Sequence, residues 1–249
     1  MKNKLLAIVL SCLSIFIECA HADKLNIAVA SNFSQTAKQL ANKFQQQTGS
    51  VVIISTGATG VLSSQIKNGA PYAILLAADE ITPQYLIHDG YALESSCFTY
   101  ATGQLVLWSS QKSLVDPKGR VLFSEKFNHL AIANPKLAPY GLAAATVIAK
   151  LGLTAKLQSK IIQGANINDT YQYVASGNAE LGFVALSQVY HHGKLSSGSA
   201  WVVPAELFSA IKQDAVLTSV GAQDKLAQKF MLFLKSSVAK KIILEYGYK

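Results

Sequence analysis

Apolar residues recur along the chain in two alternating rhythms. Leu25, Ile27 and Val29 are spaced by two, the mark of a strand with a buried face. Ala37, Leu40, Ala41 and Phe44 follow at i, i+3, i+4 and i+7, the stripe of a helix. Residues 50–55, SVVIIS, are rich in β-branched side chains and predict a second strand, followed by a helix through Gln65 and Ile66. Further strands are predicted at 73–77, 104–108, 130–133, 161–163, 181–186 and 200–203. Helices are predicted after Glu80 with Pro83 in their opening turn, over 140–151, from Asn168 to Ser176, and over 224–235 and 237–246. This alternation implies an α/β fold with mostly parallel sheets covered on both faces. Such sheets bind ligands beyond the carboxyl ends of their strands, in the loops that lead into the helices.

Four of those loops are alike. Ala30-Ser31-Asn32, Thr56-Gly57-Ala58-Thr59-Gly60, the stretch from Asn134 to Pro139 ahead of Tyr140, and Gly164-Ala165-Asn166-Ile167-Asn168 each carry small or polar residues where a strand turns into a helix. The first N–H groups of a helix have no partner inside it and lie at the positive end of the helix dipole, so each junction is a place for an anion. Ser31, Asn32, Thr59 and Tyr140 offer hydroxyl, amide and backbone donors, and the loop tips lack arginine, lysine, histidine and metal-ligand clusters. An anion held there is stabilised by neutral dipoles and charge-assisted hydrogen bonds, which fits a fully ionised oxyanion. The competing reading is ordinary capping of four helices by Ser, Thr and Asn. Convergence in space decides between them.

Charge and composition narrow the function. The chain carries a net charge of +8, and its first 22 residues hold two lysines and one glutamate, so residues 23–249 carry +7. A basic surface favours anionic partners. The basic residues are scattered, with no aromatic-interleaved stripe, which argues against nucleic acid. Residues 1–22 combine Lys2 and Lys4, an apolar run from Leu5 to Ile17 and Ala20-His21-Ala22, the pattern of a cleaved secretory signal peptide. The apolar run is shorter than the roughly twenty residues that span a bilayer. Cys97 is the one cysteine of the mature chain, which excludes an internal disulfide and reads as a buried thiol.

Other candidate chemistry is weaker. Asp79 and Glu80 are adjacent carboxylates that diverge, better placed at a helix start than in acid–base catalysis. His191 and His192 are neighbours with no cysteine or carboxylate nearby, so a solvated loop is expected rather than a metal site. Asp169 fits an outward first-turn position. No nucleotide, hydrolase or zinc-protease motif occurs.

Several segments then form an ordered set: Ala30-Ser31-Asn32-Phe33, Gly57-Ala58-Thr59-Gly60, Gln65-Ile66-Lys67-Asn68-Gly69-Ala70-Pro71, Leu76-Ala77-Ala78-Asp79, LAIANPKLAPYGLAA over 130–144, NAELGFVA over 178–185, and Glu245-Tyr246-Gly247-Tyr248. From residue 25 to the end the set resembles the molybdate-binding periplasmic proteins of ABC transporters. The resemblance implies a type II two-lobe periplasmic binding protein with a ligand cleft between the lobes. Lobe one would be 23–103 plus 215–249, and lobe two 104–214. It implies a periplasmic monomer, not an enzyme, that binds molybdate and tungstate and delivers them to a membrane permease, with no cofactor and no metal apart from the oxyanion itself. Carried over residue by residue, Ser31 and Thr59 supply donors from lobe one, Asn32 matches a donor of one branch, and Tyr140 and Ile167 match backbone donors of lobe two. Another branch places a tyrosine hydroxyl on the anion where this chain has Ala185, and many relatives carry an acid where it has Ala73. Sulfate and thiosulfate remain competitors within the class. An exported enzyme acting on anionic substrates would need a nucleophile–base pair that the loops lack. A sensory domain would need a signalling unit that the sequence does not show.

Overall fold

A computed structural model describes residues 23–249, so the expected signal peptide lies outside the described residues. The chain opens with β1 (Lys24–Ala30), a single tight turn over Ser31–Phe33, and α1 (Ser34–Thr48). β2 (Val51–Gly57), α2 (Thr59–Lys67), β3 (Ile74–Leu76), α3 (Ile81–His88) and β4 (Phe98–Gly103) follow. The middle of the chain holds β5 (Leu105–Ser109), β6 (Leu130–Ala133), α4 (Pro139–Lys150), α5 (Thr154–Leu157), β7 (Ile161–Gly164), α6 (Ile167–Ala175), β8 (Leu181–Ala185) and α7 (Leu186–Val189). A small hairpin of β9 (Tyr190–His191) and β10 (Lys194–Leu195) leads to β11 (Ser199–Val202). β12 (Ile211–Leu217), α8 (Lys225–Leu234) and α9 (Ser237–Glu245) complete the order.

The larger strands form two five-stranded sheets, β2-β1-β3-β12-β4 and β11-β5-β8-β6-β7. Alternation does the sorting. Leu25, Ile27 and Val29 face a core shared with α1, α8 and α9, while Ala28 between them joins Leu62, Ile66 and Leu86 of α2 and α3 on the other side. The second sheet is likewise covered on both faces. The strands run mostly in one direction, as expected, with one reversed strand in each sheet. β1 is parallel to β2 and β3, and β6 to β7 and β8, but β12 runs antiparallel to β3 and β4, and β5 antiparallel to β8 and β11. Each sheet is therefore mixed, with four strands in one sense and one reversed, the reversed strand being the one entered directly from an inter-sheet connection, β5 after Gln104 and β12 after the return from β11.

Two connections join the lobes. One is Gln104 between β4 and β5, and the other runs from the end of β11 to β12. β12 joins the first sheet from Ile211, ahead of the 215 division expected from the resemblance. Neither β4 nor β12 was expected as a strand. The register of β12 against β4 shifts between Gln213 and Asp214, a bulge that turns both polar residues into buried positions.

Candidate functional site

The four junctions meet. Ala30, Ser31, Asn32, Gly57, Ala58, Thr59 and Ala78 from the first lobe and Ala138, Pro139, Tyr140 and Ile167 from the second enclose one small cavity between the sheets. All five residues singled out in the sequence, Ser31, Asn32, Thr59, Tyr140 and Ile167, lie on its wall and are buried. The cavity leaves about 10 Å³ for the centre of a water-sized body, about the room of one water, so the two lobes lie close together here. Its lining holds no charged side chain. The grooves on either side are larger, about 380 and 400 Å³, and include Asp79, Glu80, Lys136 and Lys212 on one side and Lys38 on the other.

At three of the four junctions the capping reading fails. The turn at Ser31 and the helices α2 and α4 begin without any side-chain cap, so neither Ser31 nor Thr59 is spent on its own helix. The Thr59 hydroxyl oxygen instead accepts from the Ala78 N–H at 3.1 Å, which leaves its proton to donate elsewhere. The backbone narrows the donors further. In α2 the Gly60 N–H is taken by the Leu137 carbonyl of the opposite lobe at 3.0 Å, leaving those of Thr59 and Val61, of which Thr59 lies on the cavity wall. In α4, Pro139 has no N–H and Gly141 donates to Ala138, leaving that of Tyr140. In α6 the Asn166 side chain caps Asn168 and Asp169, leaving that of Ile167. Each of these helices thus places a residue with an uncommitted N–H on the wall of the same cavity, at the positive end of its dipole.

Close approach of backbone makes this possible in lobe two. A Cβ on Gly141 would collide with the Ala133 carbonyl at the end of β6, so only glycine lets α4 start where it does. Gln188 braces the fourth junction, donating to the Ile167 carbonyl at 3.2 Å and Asn168 Oδ1 at 2.9 Å while accepting the Ala185 N–H at 3.0 Å. Ala185 is fully buried outside the cavity wall.

Asn32 lies on the wall with its side chain turned to other partners. Its side-chain amide donates to Gln213 Oε1 at 2.9 Å and to the Tyr248 hydroxyl at 3.1 Å. Only its peptide N–H remains for the cavity. Sequence reasoning missed Gln213, Ser187 and Gln188, whose polar side chains sit in segments that carry no motif.

The remaining candidates lie elsewhere. Asp79 accepts the Thr82 N–H at 2.7 Å and its hydroxyl at 3.1 Å, a helix-start role, and burial raises its carboxyl above the usual range. Asp169 turns back to accept the Ala165 N–H at 3.1 Å. Cys97 is half-buried rather than buried, and desolvation together with nearby Asp214 pushes its thiol up to about 11. His191 and His192 sit in the β9–β10 hairpin with ring centroids 4.1 Å apart, brought together by a left-handed turn at His192. Among the described residues no group of three or more His, Cys, Asp or Glu side chains could hold a metal.

Residues 25–249 match the profile of the bacterial extracellular solute-binding proteins. The chain belongs to this family. The solute-binding protein is 51% identical to the molybdate-binding protein ModA of Azotobacter vinelandii over 229 residues, 92% of this chain and 91% of that one. It is 45% identical to ModA of Rhodobacter capsulatus over 229 residues, covering 92% and 89%. The solved structure of the Azotobacter vinelandii periplasmic molybdate-binding protein superimposes with a TM-score of 0.88 at 44% identity, over 90% of this chain and 98% of that one. The two-lobe periplasmic binding protein fold of this solute-binding protein is thereby shared with a relative of high identity.

Proposed function

We propose that this solute-binding protein holds molybdate, and tungstate with it, in the periplasm as a fully ionised tetrahedral oxyanion, and delivers it to the permease of an ABC transporter. One observation carries the reading. Thr59, Tyr140, Ile167 and Asn32 with uncommitted peptide N–H groups, and Ser31 and Thr59 with hydroxyls, line one small cavity whose wall has no charged group. Hydrogen bonds to a charged acceptor contribute about 1.5–3 kcal/mol each, so several together reach micromolar or tighter binding after association costs. The wall also lacks a histidine, carboxylate or thiol to act as base or nucleophile, which favours binding without turnover. High-identity relatives named as molybdate-binding proteins favour molybdate among the oxyanions that such a cage would accept.

Thermal unfolding of residues 23–249 with molybdate, tungstate, sulfate, thiosulfate or phosphate tests the reading. Ligand at a hundred times Kd stabilises the native state by about 2.7 kcal/mol. A rise in Tm with molybdate and tungstate alone is the expected result. A rise with sulfate or thiosulfate instead would reassign the ligand, and no rise with any anion would overturn the oxyanion function.

A further inference from the structure

Behind the cavity lies a second set of polar groups, most of them buried, that bond to one another. Gln213, fully buried on the bulge of β12, accepts from Asn32 Nδ2 at 2.9 Å and from the Tyr100 hydroxyl at 3.0 Å, and its Nε2 donates to the Tyr140 hydroxyl at 3.2 Å. Tyr248 receives the other Asn32 amide hydrogen at 3.1 Å, and its hydroxyl lies 2.9 Å from the Asn32 carbonyl and 3.0 Å from Ser187 Oγ. Ser187 in turn donates to the Asn32 carbonyl at 2.9 Å. Asn32 belongs to the first lobe, Tyr140 and Ser187 to the second, Gln213 and Tyr100 to strands beside the crossing points, and Tyr248 to the tail after α9. Gly103 at the end of β4 admits the arrangement, since a Cβ there would overlap the Tyr140 hydroxyl.

Buried amides and hydroxyls are costly unless paired, so a network of this kind holds its members in one geometry. Here the member most tightly held is Asn32: both amide hydrogens and the carbonyl are bonded. Asn32 lines the cavity from the same short turn, and its peptide N–H has no partner among the described residues. Tyr140 is held at its hydroxyl from behind while its backbone N–H serves the cavity from the opposite lobe. The network is complete only while both lobes are together.

We propose that Gln213 and Tyr248 are positioning residues of the oxyanion site. They act through Asn32 and Tyr140, fixing a donor in each lobe and fastening the closed form around the ligand. This rests on the oxyanion-binding reading above and adds residues that do not touch the ligand.

Tyr248→Phe and Gln213→Met test it, with Ser187→Ala as a milder variant that cuts only the second-lobe end of the network. Molybdate affinity is measured by calorimetry, association and dissociation rates by stopped flow, and unliganded stability by thermal unfolding. Tyr248→Phe is expected to raise Kd about five- to ten-fold, the effect of one neutral hydrogen bond. The rise is expected in the dissociation rate, with the association rate close to wild type and the unliganded Tm lowered by less than the loss of affinity. Ser187→Ala is expected to change Kd in the same direction by less. Wild-type affinity in all three variants, alongside a wild type that binds molybdate, would overturn the positioning role and leave the binding function standing. A loss of affinity matched by an equal loss of unliganded stability in Ser187→Ala and Tyr248→Phe would likewise overturn it in favour of a purely structural role. A wild type that binds no oxyanion would overturn the underlying function instead.

Discussion

The two lobes build the same sheet in different ways at the ligand. Each has four strands in one sense and a single reversed strand, β12 in one and β5 in the other, and each sends two strand-to-helix junctions into the cavity. Lobe one offers side-chain hydroxyls, Ser31 and Thr59, beside its backbone donors. Lobe two offers backbone alone: Tyr140 and Ile167 bury their side chains in the core and contribute N–H groups. One half of the site is thus written in side chains that can be deleted, and the other in main chain that persists under most substitutions.

The sharpest break of that asymmetry is Ile167→Pro. Proline is well tolerated at the first position of a helix, and Asn166 already has the extended conformation that precedes proline. The variant should keep α6 and lose one donor. Affinity for molybdate is expected to fall by about 3 kcal/mol, combining a charged hydrogen bond with lost side-chain packing. Ile167→Val, which keeps the N–H, should cost about 1 kcal/mol of stability and leave binding near wild type. Calorimetry and thermal unfolding on the pair separate the two contributions, and equal binding by both variants would remove Ile167 from the site.

Lobe one should respond to plain side-chain deletion. Thr59→Ala is expected to weaken binding by about 2 kcal/mol through the lost hydroxyl, and to lower stability as well because the buried Ala78 N–H loses its acceptor. Thr59→Ser should restore most of both. Ser31→Ala should weaken binding by about 1–2 kcal/mol, with little effect on stability, since Ser31 caps no helix. Wild-type affinity in both alanine variants would mean that the two lobes bind alike, through backbone only.

Smaller effects come from pH. Burial raises the phenol groups of Tyr100, Tyr140 and Tyr248 above their ordinary value, so the folded chain holds these protons longer than the unfolded chain does. Their contribution to stability is complete below the unfolded value of about 10 and is lost as pH climbs from there through the folded-state values. Tm should therefore fall steeply above about pH 10, and less steeply in Tyr248→Phe. Between about pH 6 and 9 the affinity itself should be flat, because no residue on the cavity wall titrates there. A bell-shaped affinity profile in calorimetry would point to a charged group reaching the ligand from one lobe.

Much of this was legible in the sequence because its signals are local. Strand alternation at Leu25–Val29 and the helical stripe through Phe44 each need only a few neighbouring residues, and four junctions of like chemistry followed from them. β4 and β12 were not legible. In β12, Gln213 and Asp214 interrupt the apolar pattern, and they are buried only because partners far along the chain pair with them: Asn32 lies 181 residues from Gln213, and Thr99 lies 115 from Asp214. The reversed strand of each sheet depends on those crossings, and its direction went unseen with them. For the same reason the sequence marked Asn32 as a candidate but not which of its atoms was already engaged.

On the proposed function, the absence of any fixed positive charge on the cavity wall bears on how cargo would leave. A dianion paired with arginine or lysine would carry that attraction into the opened cleft, where the ion pair persists as a residual hold. Neutral N–H and O–H groups grip strongly only while water is excluded, since in an open cleft water matches them bond for bond. Nearly all of the holding power therefore belongs to the closed shape rather than to either lobe. Whatever prises the lobes apart converts a tight site into a leaky one without having to compete for the anion.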